Sequence, residues 1–154
     1  MKVEKALKDY TPDYRYLDGD RLGVMNLHTL TSPLIEVAED GKTAKGVWVS
    51  PGIKSHETDF NHQAYWSWSR YGVDFIKEDN KWKIWHLLMC GMFRTPFEKS
   101  WVEAEPVTMS FPQELKADRP STYHWMWRPR LALQNVPEIP EPYEKWRESK
   151  AYVK

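Results

Sequence analysis

The sequence predicts an α+β fold in which antiparallel β-strands dominate. Runs rich in β-branched and aromatic residues are separated by short turn sequences, Asp40-Gly41 and Asp79-Asn80, a pattern typical of β-hairpins. Helical spacing of apolar residues occurs over residues 3–10. Seven of the eleven prolines follow residue 103, where they disfavour long helices and central strands.

The elements follow from these patterns in order. A helix over residues 3–10 is ended by Pro12, which cannot continue it. Strands alternate after it with turns. The predicted elements are strands 24–30 and 34–38, a hairpin turn at 39–41, a strand over 43–50, a polar loop over 52–63, and a long hairpin made of 64–76 and 82–93.

The last third of the chain differs in composition from the rest. Residues 103–154 combine the prolines with aromatic residues that show no periodicity, including Trp125, Trp127 and Trp146. Such a segment forms neither a long helix nor a central strand. We therefore expect an extended, proline-rich aromatic arm that crosses to a neighbouring subunit.

The register of the central hairpin has two solutions. A two-residue turn at Asp79-Asn80 places Val73 opposite His86 and Phe75 opposite Ile84. A three-residue turn that includes Lys81 places Asp74 opposite His86 instead. Because side chains alternate along a strand, only the second solution puts Asp74 and His86 on one face. Both faces are largely apolar in either case, so both should be covered.

Composition excludes several classes of function. Lys and Arg balance Asp and Glu at 22 each, whereas a nucleic-acid-binding surface normally needs a clustered excess of basic residues. The single cysteine, Cys90, cannot form an intramolecular disulfide, which favours a reducing compartment. The start of the chain lacks a signal-peptide core, and no apolar run approaches the roughly 18 residues of a membrane span. We expect a cytoplasmic protein that binds neither nucleic acid nor membranes.

Three stretches resemble a known family. They are HTLTSPLIEVAEDGKTAKGVWVSPG, YWSWSRYGVDFIKEDNKWKIWHL and FRTPFEKSW, within residues 22–102. They are similar to the SnoaL-like branch of the nuclear-transport-factor-2-like superfamily. The resemblance implies a bent antiparallel sheet that forms a cone-shaped barrel around a pocket, closed by N-terminal helices. Residues 1–102 would form this barrel without the usual N-terminal helices, and residues 103–154 would form the arm.

The resemblance directs attention to four residues for acid–base chemistry: His28, His86, Tyr71 and Asp74. Relatives with such chemistry can carry a pocket histidine in the region of His28. Two histidines in a dry pocket titrate near neutral pH and can move protons, and Asp74 would orient His86. Each residue also has a structural alternative: a hydrogen-bonded strand histidine for His28, a core histidine for His86 and a surface ion pair for Asp74.

Aromatic residues supply the candidate substrate-binding surface. The chain has nine tryptophans, and Trp48, Trp66 and Trp68 lie on predicted strands around the pocket. Aromatic walls with few polar groups suit planar apolar ligands, although the same residues could fill an interface. The sequence contains no metal-binding spacing, glycine-rich phosphate loop or nucleophile elbow, so we expect neither a metal nor a cofactor.

Two functions remain open. Relatives include dehydratases, isomerases and cyclases, which implies a cofactor-independent lyase or isomerase acting on a hydrophobic, aromatic or polycyclic small molecule. The alternative is a non-catalytic small-molecule-binding or assembly subunit. Because a bent sheet with little helical cover would expose much apolar area, we expect an obligate homo- or hetero-oligomer in which a partner supplies the missing N-terminal part.

Overall fold

The computed structural model describes residues 25–58, 61–103 and 127–153. The predicted helix over residues 3–10 and much of the arm lie outside these segments. The described segments contain five β-strands and a short 3-10 helix, and none of their helices is long and apolar enough to cross a membrane. The elements are β1 Met25–His28, β2 Thr31–Val37, β3 Thr43–Thr58, β4 Asn61–Glu78, β5 Lys81–Pro96 and the 3-10 helix Glu148–Lys150.

All five strands belong to one antiparallel sheet that curls into a half-barrel. The order is β1-β3-β4-β5, and β2 also pairs with β3. The two short strands therefore share one edge of β3: β2 pairs along its first half and β1 along its second half. Long, bent central strands with short edge strands place side chains from four strands on one curved surface.

Strand β3 is longer than its sequence predicts. The polar loop expected over residues 52–63 is wrong for residues 52–58, which continue the strand to Thr58, and for residues 61–63, which begin β4. Pairing explains the difference, because β1 hydrogen-bonds to one edge of this stretch and β4 to the other. Backbone bonding on both edges stabilises a strand even where its side chains are polar. Pro51 lies where the edge partner changes from β2 to β1.

The central hairpin contains parts of both registers that the sequence left open. Asp79 and Asn80 have φ angles of 50° and 58°, which is the geometry of a two-residue type I′ turn. Phe75 accordingly pairs with Ile84, but the register then shifts and Asp74 pairs with His86. The shift is a β-bulge, in which one strand carries an extra residue.

The two faces of the sheet carry different chemistry, and glycine contacts identify them. A Cβ built on Gly52 would meet the ring of His28 and Oγ of Ser67, whereas one built on Gly72 would meet Pro137 and Tyr152. We call the first surface the His28 face and the second the Asp74 face. Strand register assigns His28, Trp48, Ser50, Ser67, Tyr71 and Phe75 to the His28 face, and Lys45, Trp66, Trp68, Arg70, Asp74 and His86 to the Asp74 face.

Residues 127–153 lie on the Asp74 face of the chain's own sheet. The guanidinium of Arg70 donates to the carbonyl of Gln134 at 3.1 Å, and Pro137 packs over Gly72. Backbone N–H groups of the β2–β3 turn, at Glu39 and Asp40, donate to carbonyls of this segment. These contacts fasten the described part of the C-terminal segment along the sheet.

The buried set among the described residues is small, and about a third of it is polar. Besides three glycines, Pro137 and Pro140, its apolar members are Ala38, Ala44, Val47, Val73, Cys90 and Ala151, and its polar members are Thr43, Lys45, Ser50, Ser69, Asp74 and Thr95. Several large apolar side chains remain exposed instead, among them Leu34, Ile35, Trp82, Leu87 and Trp101. Since a buried polar group needs a partner, each of these buried polar residues requires a hydrogen bond or an ion pair.

Candidate functional site

On the Asp74 face, a buried carboxylate collects three contacts. Asp74 has no exposed surface. Lys45 Nζ donates to its Oδ1 at 2.6 Å, the Tyr152 N–H donates to its Oδ2 at 2.9 Å, and His86 Nδ1 lies 3.1 Å from Oδ2. Both carboxylate oxygens therefore have partners, as a buried charge requires.

Lys45 connects this cluster to the C-terminal segment. Its Nζ also donates to the carbonyl of Lys150 at 2.6 Å and lies 3.8 Å from the centre of the Tyr152 ring. Burial, followed by the charge of Asp74, raises the pKa of Tyr152, so its hydroxyl stays protonated and donates to the carbonyl of Glu138. The Asp74 cluster thus ties the last residues of the chain to β3 and β4.

His86 packs against two tryptophan rings that also contact each other. Its ring stacks on Trp85 with 4.5 Å between centroids and lies 5.9 Å from Trp146. The side chain keeps 22% of its surface exposed. With Nδ1 directed at Asp74, Nε2 is the nitrogen left for another group.

On the opposite face, a row of polar residues crosses the sheet. His28 pairs with Gly52 and Gly52 with Ser67, and Ser67 pairs with Arg94 on β5. Two residues closer to the start of β1, the neighbouring cross-strand row on the same face contains Asn26 and Lys54. No carboxylate occurs among the described residues of these two rows.

Two serine hydroxyls on this face have no hydrogen-bond partner within the described segments. Ser50 is completely buried. Among the described residues, its Oγ and that of Ser67 are the buried side-chain oxygens for which no partner is present. Most buried polar atoms in proteins are paired, and an exception calls for an explanation such as an absent ligand or water. Both hydroxyls belong to the polar part of the His28 face.

An aromatic region continues the same face along β3 and β4. Trp48 lies over Gly46, pairs with Tyr71 across the strands, and contacts Phe75 edge-on at 6.1 Å. Burial raises the pKa of Tyr71, so its phenol is a neutral O–H donor at pH 7. The His28 face is therefore polar at one end and aromatic towards the other.

The electrostatics of His28 favour its neutral form. Although His28 is exposed at the surface of β1, the protein atoms around its ring, followed by the positive charge of Lys54, lower its pKa from the ordinary value of 6.5. A neutral imidazole has one nitrogen that can accept a proton. His28 is thus in the protonation state that a general base requires at pH 7.

The fold brings some of the predicted site residues together and separates others. Asp74 and His86 are in contact. His28, Tyr71 and Trp48 share the other face, so His28 does not lie in one pocket with His86. Trp66 and Trp68 also lie away from Trp48, on the Asp74 face, where they stack on phenylalanine rings.

Sequence analysis missed several residues of these two sites. No sequence motif marks these residues, because their places in the sites depend on strand pairing. They are Lys45, Tyr152, Ser50, Ser67 and Arg94. The pairing of β3 with β4 is continuous from Thr43 to Thr58. A correct register for these strands would have placed Lys45 opposite Asp74 and Ser67 opposite Gly52.

Other features of the described surface are weaker candidates for a functional site. A shallow cleft of about 240 Å³ lies at the far end of β4 from Asp74, between His62–Tyr65, Pro96 and Glu98. Within residues 25–58, 61–103 and 127–153, no group of three or more His, Cys, Asp or Glu side chains could hold a metal ion.

A curled antiparallel half-barrel of this kind is consistent with the cone of the nuclear-transport-factor-2-like superfamily. Residues 12–87 match the family model described as the SnoaL-like domain. The match spans just under half of the chain and confirms, over this part, the resemblance to the SnoaL-like family that the sequence predicted. No curated protein matched the chain in sequence.

Proposed function

We propose that the chain is a cofactor-independent lyase or isomerase that binds a hydrophobic, aromatic small molecule on the His28 face. One observation carries the proposal: a neutral histidine shares this face with the aromatic side chains of Trp48 and Tyr71 and with buried serine hydroxyls that have no partner among the described residues. Ligand sites typically combine an apolar lining with a few polar groups of this kind.

The spacing of the functional groups sets the size of the substrate. His28 pairs with Gly52 and Tyr71 pairs with Trp48. Gly52 and Trp48 are separated by about 13 Å along β3 at the usual rise per residue. A substrate that reaches both His28 and Tyr71 must be extended, which favours an aromatic or polycyclic molecule over a very small one.

The chemistry available there is proton transfer. The neutral imidazole of His28 removes a proton from a carbon that is conjugated with a carbonyl at the other end of the substrate, and the electron pair is delocalised through the conjugated system onto the carbonyl oxygen. The O–H of Tyr71 donates a hydrogen bond to that oxygen, where negative charge develops. Return of the proton to a different carbon completes an isomerisation, whereas expulsion of a β-hydroxyl as water completes a lyase reaction.

A panel of aromatic carbonyl compounds, titrated while tryptophan fluorescence is followed, tests binding. For a compound that is turned over, His28→Ala should reduce the rate by at least about 100-fold, the lower end of what a general base contributes. His62→Ala, which removes an exposed histidine at the far end of β4, is the matched control and should retain the rate. Near-full activity of His28→Ala would make His28 structural and refute this mechanism.

Gly52→Ala provides a second variant that keeps the imidazole. The added methyl group would meet the ring of His28 and Oγ of Ser67, so the ring must move. We expect a reduced turnover with little loss of stability, since the groups that must shift are side chains.

The Asp74–His86 pair is a second place for proton transfer. Its support is the orientation of His86, whose Nδ1 faces Asp74 while part of the ring is exposed. In this alternative the carboxylate would orient His86, and Nε2 would act on the substrate. His86→Gln would then abolish turnover while His28→Gln would not, the reverse of the result expected for the His28 face.

A non-catalytic binding or assembly subunit is the alternative function, and the exposed apolar side chains favour it. Leu34, Ile35 and Val37 on β2 are each about half exposed, as are Ile84 and Leu87 on β5. Exposed apolar residues in such number are typical of protein interfaces. Under this alternative the chain would bind aromatic compounds or a partner subunit without turning anything over.

A further inference from the structure

We infer that the ligand of the His28 face carries a carboxylate, which is held by Arg94 and Ser67 at the polar end of the face. This inference rests on the proposed function, because it specifies the chemical class of the molecule that the same face would bind.

The charges at this end of the face point to an anion. Arg94 and Lys54 supply two cations in neighbouring rows, and no described residue of these rows carries a carboxylate. Arg94 has its guanidinium 4.3 Å from the centre of the Tyr65 ring, and no ion pair of Arg94 occurs among the described residues. A planar guanidinium beside hydroxyl groups is suited to binding a carboxylate.

The unpartnered hydroxyls provide independent support. Ser67 is the cross-strand neighbour of Arg94, and Ser50 precedes the polar row by two residues on the same face of β3. Their buried oxygens lack partners in the described part of the chain, although each hydroxyl can donate one hydrogen bond. A carboxylate has two oxygens with several lone pairs and could accept from Arg94 and from its cross-strand neighbour Ser67. Ser50 lies one row further along the same face, towards the rest of the ligand.

The sheet also leaves room for such a group. Ser69 pairs with Gly91 in the row next to the polar row, and a Cβ built on Gly91 would meet no atom within 4 Å among the described residues. Small residues therefore form the surface between the polar row and the aromatic region. A carboxylate bound at Arg94 would leave its aromatic body directed over these residues towards Trp48 and Tyr71.

Isothermal titration calorimetry with biphenyl-4-carboxylate and its neutral counterpart, biphenyl-4-carboxamide, tests the inference. The two probes have the same aromatic body and differ in charge. We expect the carboxylate to bind at least about tenfold more tightly, since a charge-assisted hydrogen bond contributes on that scale. Arg94→Gln should remove this preference without weakening the amide, and Ser67→Ala should reduce it. Arg130→Gln, at an exposed arginine of the C-terminal segment, is the matched control and should retain it.

The possible failures are distinguishable. Equal binding of the two probes to the unmodified protein, or an acid preference that survives Arg94→Gln, would overturn the carboxylate assignment and leave the proposed small-molecule site intact. Absence of binding by both probes would overturn the assignment and count against the proposed site itself.

Discussion

Replacement of Asp74 by Asn should destabilise the protein strongly, because the carboxylate is the sole counter-charge in contact with Lys45 among the described residues. The Lys45 side chain is 10% exposed and Asp74 is not exposed at all. An amide at position 74 would leave a buried ammonium without a negative partner. Removing one member of a buried ion pair typically costs about 3–5 kcal/mol.

This loss in the free energy of unfolding can be measured by urea titration, with unfolding monitored by circular dichroism. A cost of about 3–5 kcal/mol corresponds to a fall in Tm of roughly 6–20 °C for a chain of this size. Because Asp74 also accepts the N–H of Tyr152, trypsin should cleave the C-terminal segment faster in Asp74→Asn than in the unmodified protein.

The chain supplies a matched control at the same distance. Lys83 Nζ and Glu78 Oε2 are also 2.6 Å apart, but both side chains are 52% exposed. Exposed pairs contribute about 0–1 kcal/mol, so Glu78→Gln should have little effect. A double variant, Lys45→Met with Asp74→Leu, should be more stable than Asp74→Asn, since it leaves no unpaired charge. If Asp74→Asn lowers the free energy of unfolding no more than Glu78→Gln does, burial does not increase the contribution of the Lys45–Asp74 pair to stability. That result would refute the reasoning.

Three further predictions concern the rest of the molecule. Because the pKa of His28 is lowered from 6.5, the folded protein prefers the neutral imidazole. The contribution of His28 to stability should therefore be complete above about pH 6.5 and decline as the pH falls. An NMR titration midpoint of His28 above 6.5 would contradict this. Burial raises the pKa of the Cys90 thiol to about 11, so iodoacetamide at pH 8 should label it far more slowly before unfolding than after; equal rates would show that the thiol is accessible. Light scattering should show an oligomer that covers the exposed apolar side chains, and a stable monomer of 18.3 kDa would contradict that expectation.

The strands and turns were predictable because their signals are local. The turns at Asp40-Gly41 and Asp79-Asn80 lie where the sequence places them, and Gly41 has the positive φ of 66° that glycine adopts readily. The extension of β3 over residues 52–58 was not predictable in the same way. It depends on pairing with β1 and β4, which no pattern within those residues records.

The sites were harder to predict because side-chain direction depends on register. A shift of one residue moves every later side chain to the other face, and the bulge beside His86 produces such a shift in the middle of a hairpin. The contact between Asp74 and His86 was therefore one of two alternatives, and the separation of His28 from His86 was missed. The contact of Lys45 with Lys150 and that of Tyr152 with Asp74 join residues more than 70 positions apart, which the sequence does not display.

The central claim is that the small molecule binds on the His28 face and not on the Asp74 face. Each face has its own reporter, since His28 and His86 are two of only five histidines and lie on opposite sides of the sheet. Imidazole ring resonances, assigned with His28→Gln and His86→Gln, can be followed while biphenyl-4-carboxylate is added. The His28 resonance should shift in proportion to binding while that of His86 stays in place. A shift of His86 with His28 unchanged would place the ligand on the Asp74 face and contradict the claim.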